Sequence, residues 1–248
     1  MEKILNGIRE FVLEWSVTIL ILLFGTTSVM QAFVVPTASM ETTVMTGDHL
    51  IVDKLSYAPP GSISRYLLPY TDIKRGDIIV FRFPPDPRSN YVKRVIGIPG
   101  DRVKLAHRDV FVNGRKLVEP YIRRGDDFDA PYRDNFPSTP LRVSEDVMPR
   151  VQAMLEHTDP NTGELVIPPG QYFAMGDNRD NSSDCRYWGF VPRENIFGKP
   201  LINFWSYETT TENLADFRAE HFADLAQNFF KKTRWERTLK LIRGYEIK

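Results

Sequence analysis

Cysteine is nearly missing from this chain: Cys185 stands alone among 248 residues, which excludes an intrachain disulfide framework and a cysteine-rich zinc site. Histidine is sparse too. His49, His107, His157 and His221 stand far apart, none in a metal-ligand spacing, and HExxH, GxSxG, a Walker loop and a dinucleotide fingerprint are missing. No metal or cofactor is expected, although a serine-histidine-aspartate triad meets only in space and stays open. An excess of charge of either sign is also absent. Thirty-two basic residues balance 32 acidic ones, so nothing global points to a nucleic-acid partner. No low-complexity tract or internal repeat is found. The 18 prolines and 15 glycines are scattered, which predicts many turns in one large domain or two small ones.

Long apolar runs are absent but for one. Trp15 to Val35, "WSVTILILLFGTTSVMQAFVV", carries no charge, and at ~1.5 Å per residue about 20 helical residues cross a bilayer core. The expected division is a tail over residues 1–10, a transmembrane helix over 11–30 and an extended stretch into Pro36. Lys3 and Arg9 precede the span, whereas residues 36 to 53 hold no lysine or arginine. The positive-inside bias then puts the N-terminus in the cytoplasm and the rest outside a plasma or inner membrane, as a single-pass protein. The competing reading is a cleaved signal peptide. Three glutamates among the first 14 residues, and the length of the run, favour an uncleaved anchor.

Residues 31–207 read as a mainly β, antiparallel domain. Short runs rich in Val, Ile, Phe and Tyr recur at 49–55, 77–83, 91–98, 102–114, 164–177 and 200–205, bounded by turn residues. Asn113-Gly114 inside "DVFVNGRKL" predicts a type I′ hairpin. Residues 57–72 read as a long loop, and 119–163 as an excursion or small subdomain. No convincing helical period is expected before a helical tail over 208–248. There Leu214, Phe217, His221, Phe222 and Leu225 share one side. This tail packs on its own domain or lies on a membrane surface.

Three polar features could carry chemistry. "PTASMETTVMTGD" (36–48) follows the apolar run with small residues and hydroxyls, and is either a spacer or a nucleophile loop. Lys93 sits among Val92, Val95, Ile96 and Ile98. A strand lysine is ordinarily solvated, but a buried one loses proton affinity and can activate a serine without histidine. "GDNRDNSSDCRYWGFVP" (176–192) is too dense in polar residues for a plain turn, and lacks the glycine and glutamate of an EF-hand loop.

Taken together, "PTASMETTVMTGD" with "HLIVDK", "YVKRVIGIPGD" and "GDNRDNSSDCRYWG" resemble, in order, the motifs of the bacterial type I signal peptidases. The resemblance implies a membrane-anchored serine endopeptidase that removes N-terminal signal peptides through a Ser-Lys dyad and an acyl-enzyme. It assigns Ser39 as nucleophile and Lys93 as general base. Ser182 would orient the amine, and Thr37 would serve the oxyanion beside the Ser39 N–H. Asp177, Asp184, Arg94 and Arg186 would hold the site's shape. Substrates would be exported preproteins with small residues at −1 and −3; the other expected contact is membrane lipid, and the protein is expected to be a monomer.

Two positions depart from the family pattern. Ala38 replaces a frequent glycine, which would be strained if φ is positive there, and Cys185 replaces a frequent serine. Two rival readings are a self-processing peptidase akin to the SOS repressors and a membrane-anchored binding protein of this fold without catalysis. Segments 32–38 and 89–93 are the expected flanks of an extended substrate. Trp205, Phe204 and Tyr207 are expected either at a lipid surface or in the core.

Overall fold

The computed structural model describes residues 2–57, 70–125, 127–138, 144–214 and 219–247. Most of the loop expected over 57–72 and Phe217 of the expected helical face lie outside these residues. Helix α1 spans Glu2–Phe24 and runs on through a π-helical turn, Gly25–Val29. It begins well before Phe11, because the charged residues preceding the apolar run are themselves good helix formers. Near its end Thr26 and Thr27 hydroxyls donate to the Leu22 and Leu23 carbonyls at 2.8 and 2.5 Å, the back-bonding that bends and loosens a helix. Residues 6–29 are long and apolar enough to cross a membrane, and the protein buries none of them.

Strand β1 (Met30–Val34) follows at once. The other strands are β2 (Asp48–Asp53), β3 (Ile78–Arg82), β4 (Asn90–Gly97), β5 (Arg102–Ala106), β6 (Asp109–Val112), β7 (Arg115–Lys116), β8 (Leu165–Val166), β9 (Gln171–Met175), β10 (Val191–Pro192), β11 (Ile196–Ser206) and β12 (Lys240–Leu241). The larger antiparallel sheet runs β1-β2-β11-β3-β4-β9-β10, and the smaller β7-β6-β5-β8. The β6–β7 turn carries Asn113 and Gly114 at φ 52° and 74°, as its sequence predicts.

Strand β11 explains the curl of the large sheet. Ile196 and Gly198 pair with β3, whereas Lys199 to Ser206 pair with β2, with register shifts along the way. Such bulges increase twist and let one strand serve two neighbours. The edge of β11 left open beyond β3 is covered by β12, through Ile202↔Leu241 and Asn203↔Lys240. The tail is therefore not helical throughout. Helices α4 (Thr211–Leu214) and α5 (Ala219–Lys232) end before Arg234, whose N–H returns to the Ser206 carbonyl at 2.8 Å. An open strand edge is a stronger claim on these residues than their helical spacing.

The 119–163 excursion also holds a helix that the sequence does not announce: α2 (Met148–Leu155) buries Val151 and Met154 in the main core. Its eight residues are too few for a periodic signal. A short helix, α3 (Cys185–Trp188), closes the list, capped by the Asp184 carboxylate. The main core joins both sheets around Phe81, Phe136, Phe173 and Trp188. A smaller core, Val35, Met40, Val44, Leu50, Val52, Ile78 and Val80, lies under the segment that follows β1.

Candidate active site

Between β1 and β2 the chain makes one 3-10 turn, Ala38–Met40. Met40 is 1% exposed in the smaller core, and its carbonyl accepts the N–H of Thr43 and of Val44 at 3.1 and 2.8 Å. Burying that methionine fixes the neighbouring Ser39, itself 8% exposed, with its hydroxyl toward Lys93. Ala38 is absent from the described residues with positive φ, so its methyl carries no strain there.

Lys93, on β4, meets this serine. Its Nζ lies 2.7 Å from Ser39 Oγ and also donates to the Val92 carbonyl at 3.1 Å. The residue is 3% exposed. Burial outweighs the attraction of Asp184 and Asp177 and brings the amine down from 10.5 to about 8. A lysine so placed is neutral in about a tenth of molecules at pH 7 and can then accept a proton from the hydroxyl it touches. Thr37 Oγ1 stands 3.4 Å from Ser39 Oγ on the other side, and N–H groups at the start of a helical turn have no partner within it.

The loop after β9 clamps both. Ser39's carbonyl accepts the Asn178 N–H at 3.1 Å, and the Asn178 amide donates to the Ala38 carbonyl at 3.2 Å. Arg94, 1% exposed, grips Asp177 through Nε and Nη2 at 2.8 and 2.7 Å, donates to the Gly76 carbonyl at 2.9 Å and lies 3.9 Å from the Tyr121 ring centre. Thr43 Oγ1 adds a bond to Asp177 at 2.5 Å. Arg186 binds Asp184 through Nε and Nη2 at 2.9 and 2.8 Å, and Asp184 also takes the Gly176 N–H at 3.1 Å. Burial would push the Asp184 carboxyl up, but Arg186 beside it holds it below the usual carboxylate range. Arg179 forms a buried fork to Glu119, which ties the excursion to this loop. At Gly176 a Cβ would meet Ser182 Oγ at 2.2 Å and the Ser39 carbonyl at 2.4 Å, so no side chain fits.

Ser39, Lys93, Thr37, Asp177, Asp184, Arg94 and Arg186 thus gather at one place. Ser182 differs from expectation. Its buried hydroxyl makes no bond to the Lys93 amine and stands instead by the Asp184 carboxylate, whose charged form it favours. Ser182 also packs against Gly176. Cys185 lies at the start of α3 and is fully buried; it accepts the Ala174 N–H at 3.1 Å, and burial pushes its thiol up, so it stays neutral. No described histidine side chain bonds Ser39: His49 packs on Trp205, and His107 bonds Asp129. Asn178, Gly176, Thr43 and Glu119 went unassigned in the sequence. The first two stand inside the polar block and Thr43 inside the hydroxyl-rich segment 36–48, whereas Glu119 carries no local signal.

A groove of about 440 Å³ opens on the Ser39 side, lined among others by Phe33, Val35, Thr37, Tyr91, Asn181 and Ser183. Its walls are two strand edges that pair with nothing among the described residues. Val35 exchanges both main-chain bonds with the β2 side, at 2.9 Å each, so by alternation Ala32 and Val34 turn theirs to the groove. Strand β4 pairs with β9 only from Arg94 on, which leaves 90–93 open. Four antiparallel steps separate β1 from β4, so both run the same way, toward the Ser39–Lys93 pair.

The chain is also similar in sequence to proteins of a known family. The family model for signal peptidase, peptidase S26, matches residues 8–205. A signal peptidase I of Pseudomonas fluorescens is 34% identical over 203 residues, 75% of this chain and 69% of the relative. One from Aquifex aeolicus is 34% identical over 228 residues, 80% of this chain and 84% of the relative. A signal peptidase I of Enterococcus faecalis, known as a crystal structure, is 29% identical, covering 52% of this chain and 97% of that one at a TM-score of 0.33. With a family match over most of its length and relatives a third identical to it, this chain belongs to the signal peptidase family of serine endopeptidases, peptidase S26.

Proposed function

We propose that this protein removes signal peptides from exported preproteins at the outer face of a membrane, with Ser39 as nucleophile and Lys93 as base. The observation that carries the reading is the 2.7 Å contact between Ser39 Oγ and a buried lysine amine. Neutral Lys93 takes the Ser39 proton as Oγ attacks the scissile carbonyl. The resulting ammonium then protonates the departing amine, and the mature protein leaves. Water, deprotonated by the regenerated neutral amine, attacks the acyl-enzyme, and the ester breaks to free the signal peptide and Ser39.

The groove suits an extended peptide, since its two free edges supply main-chain bonds by β-augmentation. A signal peptide leaving the bilayer alongside α1 and β1 runs parallel to both edges and delivers its C-terminal end to Ser39. Residues at −1 and −3 share one side of that strand, against a wall whose close approach favours small side chains. Helix α1 is the anchor, with its N-terminus in the cytoplasm. Asp177, Asp184, Arg94 and Arg186 hold the loop. Ser182 keeps a supporting role through Asp184, whose charged form its hydroxyl favours.

The test is cleavage of an exported preprotein with an A-x-A site by the detergent-solubilised full chain. Cutting after the second alanine supports the reading; an inert wild type that still binds the preprotein replaces it with the non-catalytic binding protein. The pH profile gives a second check. The charged amine cannot act as base, so kcat/KM should rise about tenfold per pH unit below about 8 and level above it. A flat profile from pH 6 to 9 removes Lys93 as the base. Thr37→Val tests the oxyanion donor: kcat should fall about 10²–10³-fold with KM little changed, whereas a change confined to KM assigns Thr37 to substrate binding.

A further inference from the structure

The groove does not account for a second cavity, of about 180 Å³, on the far side of the segment that follows Ser39. Thr42, Thr43, Asn203, Arg237, Lys240 and Arg243 line it, three cations without a carboxylate among the lining residues. The acid that reaches the lining Arg237 is already committed. Asp48, fully buried, takes Arg237 at 2.6 Å, the Ser206 hydroxyl at 2.6 Å and the Met45 N–H at 2.9 Å, with Arg234 3.8 Å away. One carboxylate thus faces two arginines, and Lys240 and Arg243 are exposed with no ion pair to either among the described residues. The polar neighbours are already spent, since Thr42 donates to the Tyr121 carbonyl, Thr43 to Asp177 and Asn203 to the Arg237 carbonyl, so the cations are what the cavity offers an anion. That is the chemistry of a phosphate site.

Its surroundings are apolar. Leu239 and Leu241, on either side of Lys240, are 70% and 59% exposed, and Trp235 and Phe230 stack at 6.1 Å while 53% and 79% exposed. Register then places the cavity relative to the membrane anchor. Leu241 pairs with Ile202, Ile202 with Ile51 and Ile51 with Ala32, so the cavity lies three strand spacings, about 14 Å, from the residues that leave α1. Cations that meet a phosphate while neighbouring leucines and aromatics meet acyl chains fit a membrane interface.

We propose that this C-terminal cavity binds the phosphate of an anionic phospholipid headgroup, with Lys240 and Arg243 as its free charges, Arg237 at its base and Leu239, Leu241 and Trp235 against the acyl chains. The proposal rests on α1 being a membrane anchor but not on the catalytic reading. Arg237 Nη2 also donates to the Thr43 carbonyl at 3.1 Å, so the bound headgroup lies one residue contact from the segment that carries the nucleophile.

Native mass spectrometry of the detergent-solubilised full chain, titrated with phosphatidylglycerol or phosphatidylcholine, tests it. Wild type should retain one phosphatidylglycerol at least about tenfold more tightly than phosphatidylcholine, and Lys240→Gln/Arg243→Gln should erase that preference, each charge carrying about fivefold. Both forms should cleave a preprotein equally in the same detergent, which shows the variant folded. Equal retention of the two lipids by wild type, or a preference that survives in the double variant, overturns the assignment. Displacement of phosphatidylglycerol by millimolar inorganic phosphate makes this a free-anion site and overturns the lipid. Absence of cleavage by wild type strikes at the peptidase reading and leaves the lipid result standing.

Discussion

Lys93→Met is expected to lower cleavage by about 10⁴-fold or more, as loss of a single member of a nucleophile–base pair does elsewhere, and to leave the folded protein more stable than wild type. The rate follows from the contact: without the amine, no base among the described residues bonds Ser39 Oγ, since Thr37, the other group at hand, is a hydroxyl. Ser39→Ala should fall equally far, and the two together no further, because each empties the same step.

The gain in stability has the opposite sign for the same physical reason. Folded Lys93 titrates at about 8 against 10.5 for the free side chain. Below about 8 both states are protonated, and the folded one carries the full cost of a buried ammonium. Between 8 and 10.5 the unfolded chain holds a proton that the folded one has released, so stability climbs with pH across that window and levels beyond it. The gap corresponds to about 3 kcal/mol at most. A methionine of similar shape removes this cost, so Lys93→Met should gain about 1–3 kcal/mol at pH 7, fading above pH 10, in urea unfolding followed at both pH values. A variant less stable than wild type at pH 7, or one that still cleaves, contradicts the assignment of the buried amine.

Asp177→Ala is expected to cost about 3–5 kcal/mol, the range for breaking a buried ion pair from one side. Asp177 is fully buried, and its removal leaves the Arg94 guanidinium facing only the Gly76 carbonyl, Thr43 Oγ1 at 3.3 Å and the Tyr121 ring. The same carboxylate holds Thr43, and the next residue, Asn178, holds the Ser39 carbonyl. Activity should therefore vanish at temperatures where the variant is still folded. Arg94→Met/Asp177→Leu separates the two effects: it removes both charges, so it should regain most of the stability while the rate stays lost. A single Asp177→Ala within 1 kcal/mol of wild type, or a double variant that recovers cleavage, means that the pair neither pins the loop nor supports the serine. Chemical denaturation and initial rates on the same preparations decide it.

The strands were legible because half-buried antiparallel segments alternate and end at turn residues, and Asn113-Gly114 announced its hairpin through a backbone need that few other residues meet. What escaped was decided by partners distant in sequence. Residues 240–241 became a strand because β11 had an uncovered edge, whereas their local spacing belonged to a helix. Met148–Leu155 is a helix whose two buried residues matter only against the core. Ser182 misled in a similar way: its place in the motif suggested a bond to Lys93, but the amine's geometry turns to Ser39 and the Val92 carbonyl.

By itself, the sequence determined the apolar run before a hydroxyl-rich segment, the lysine in a β-forming apolar stretch and the polar block after a strand, since each depends on composition and spacing along the chain. The tertiary structure alone decided that these three meet, that Met40 sinks to present Ser39, that Glu119 and Arg179 join the excursion to the loop, and that two free strand edges run side by side toward the serine. It also decided the character of Lys93. An amine's proton affinity depends on the water and charge around it, and the burial that lowers it is made by residues from β3, β4 and the loop after β9 together.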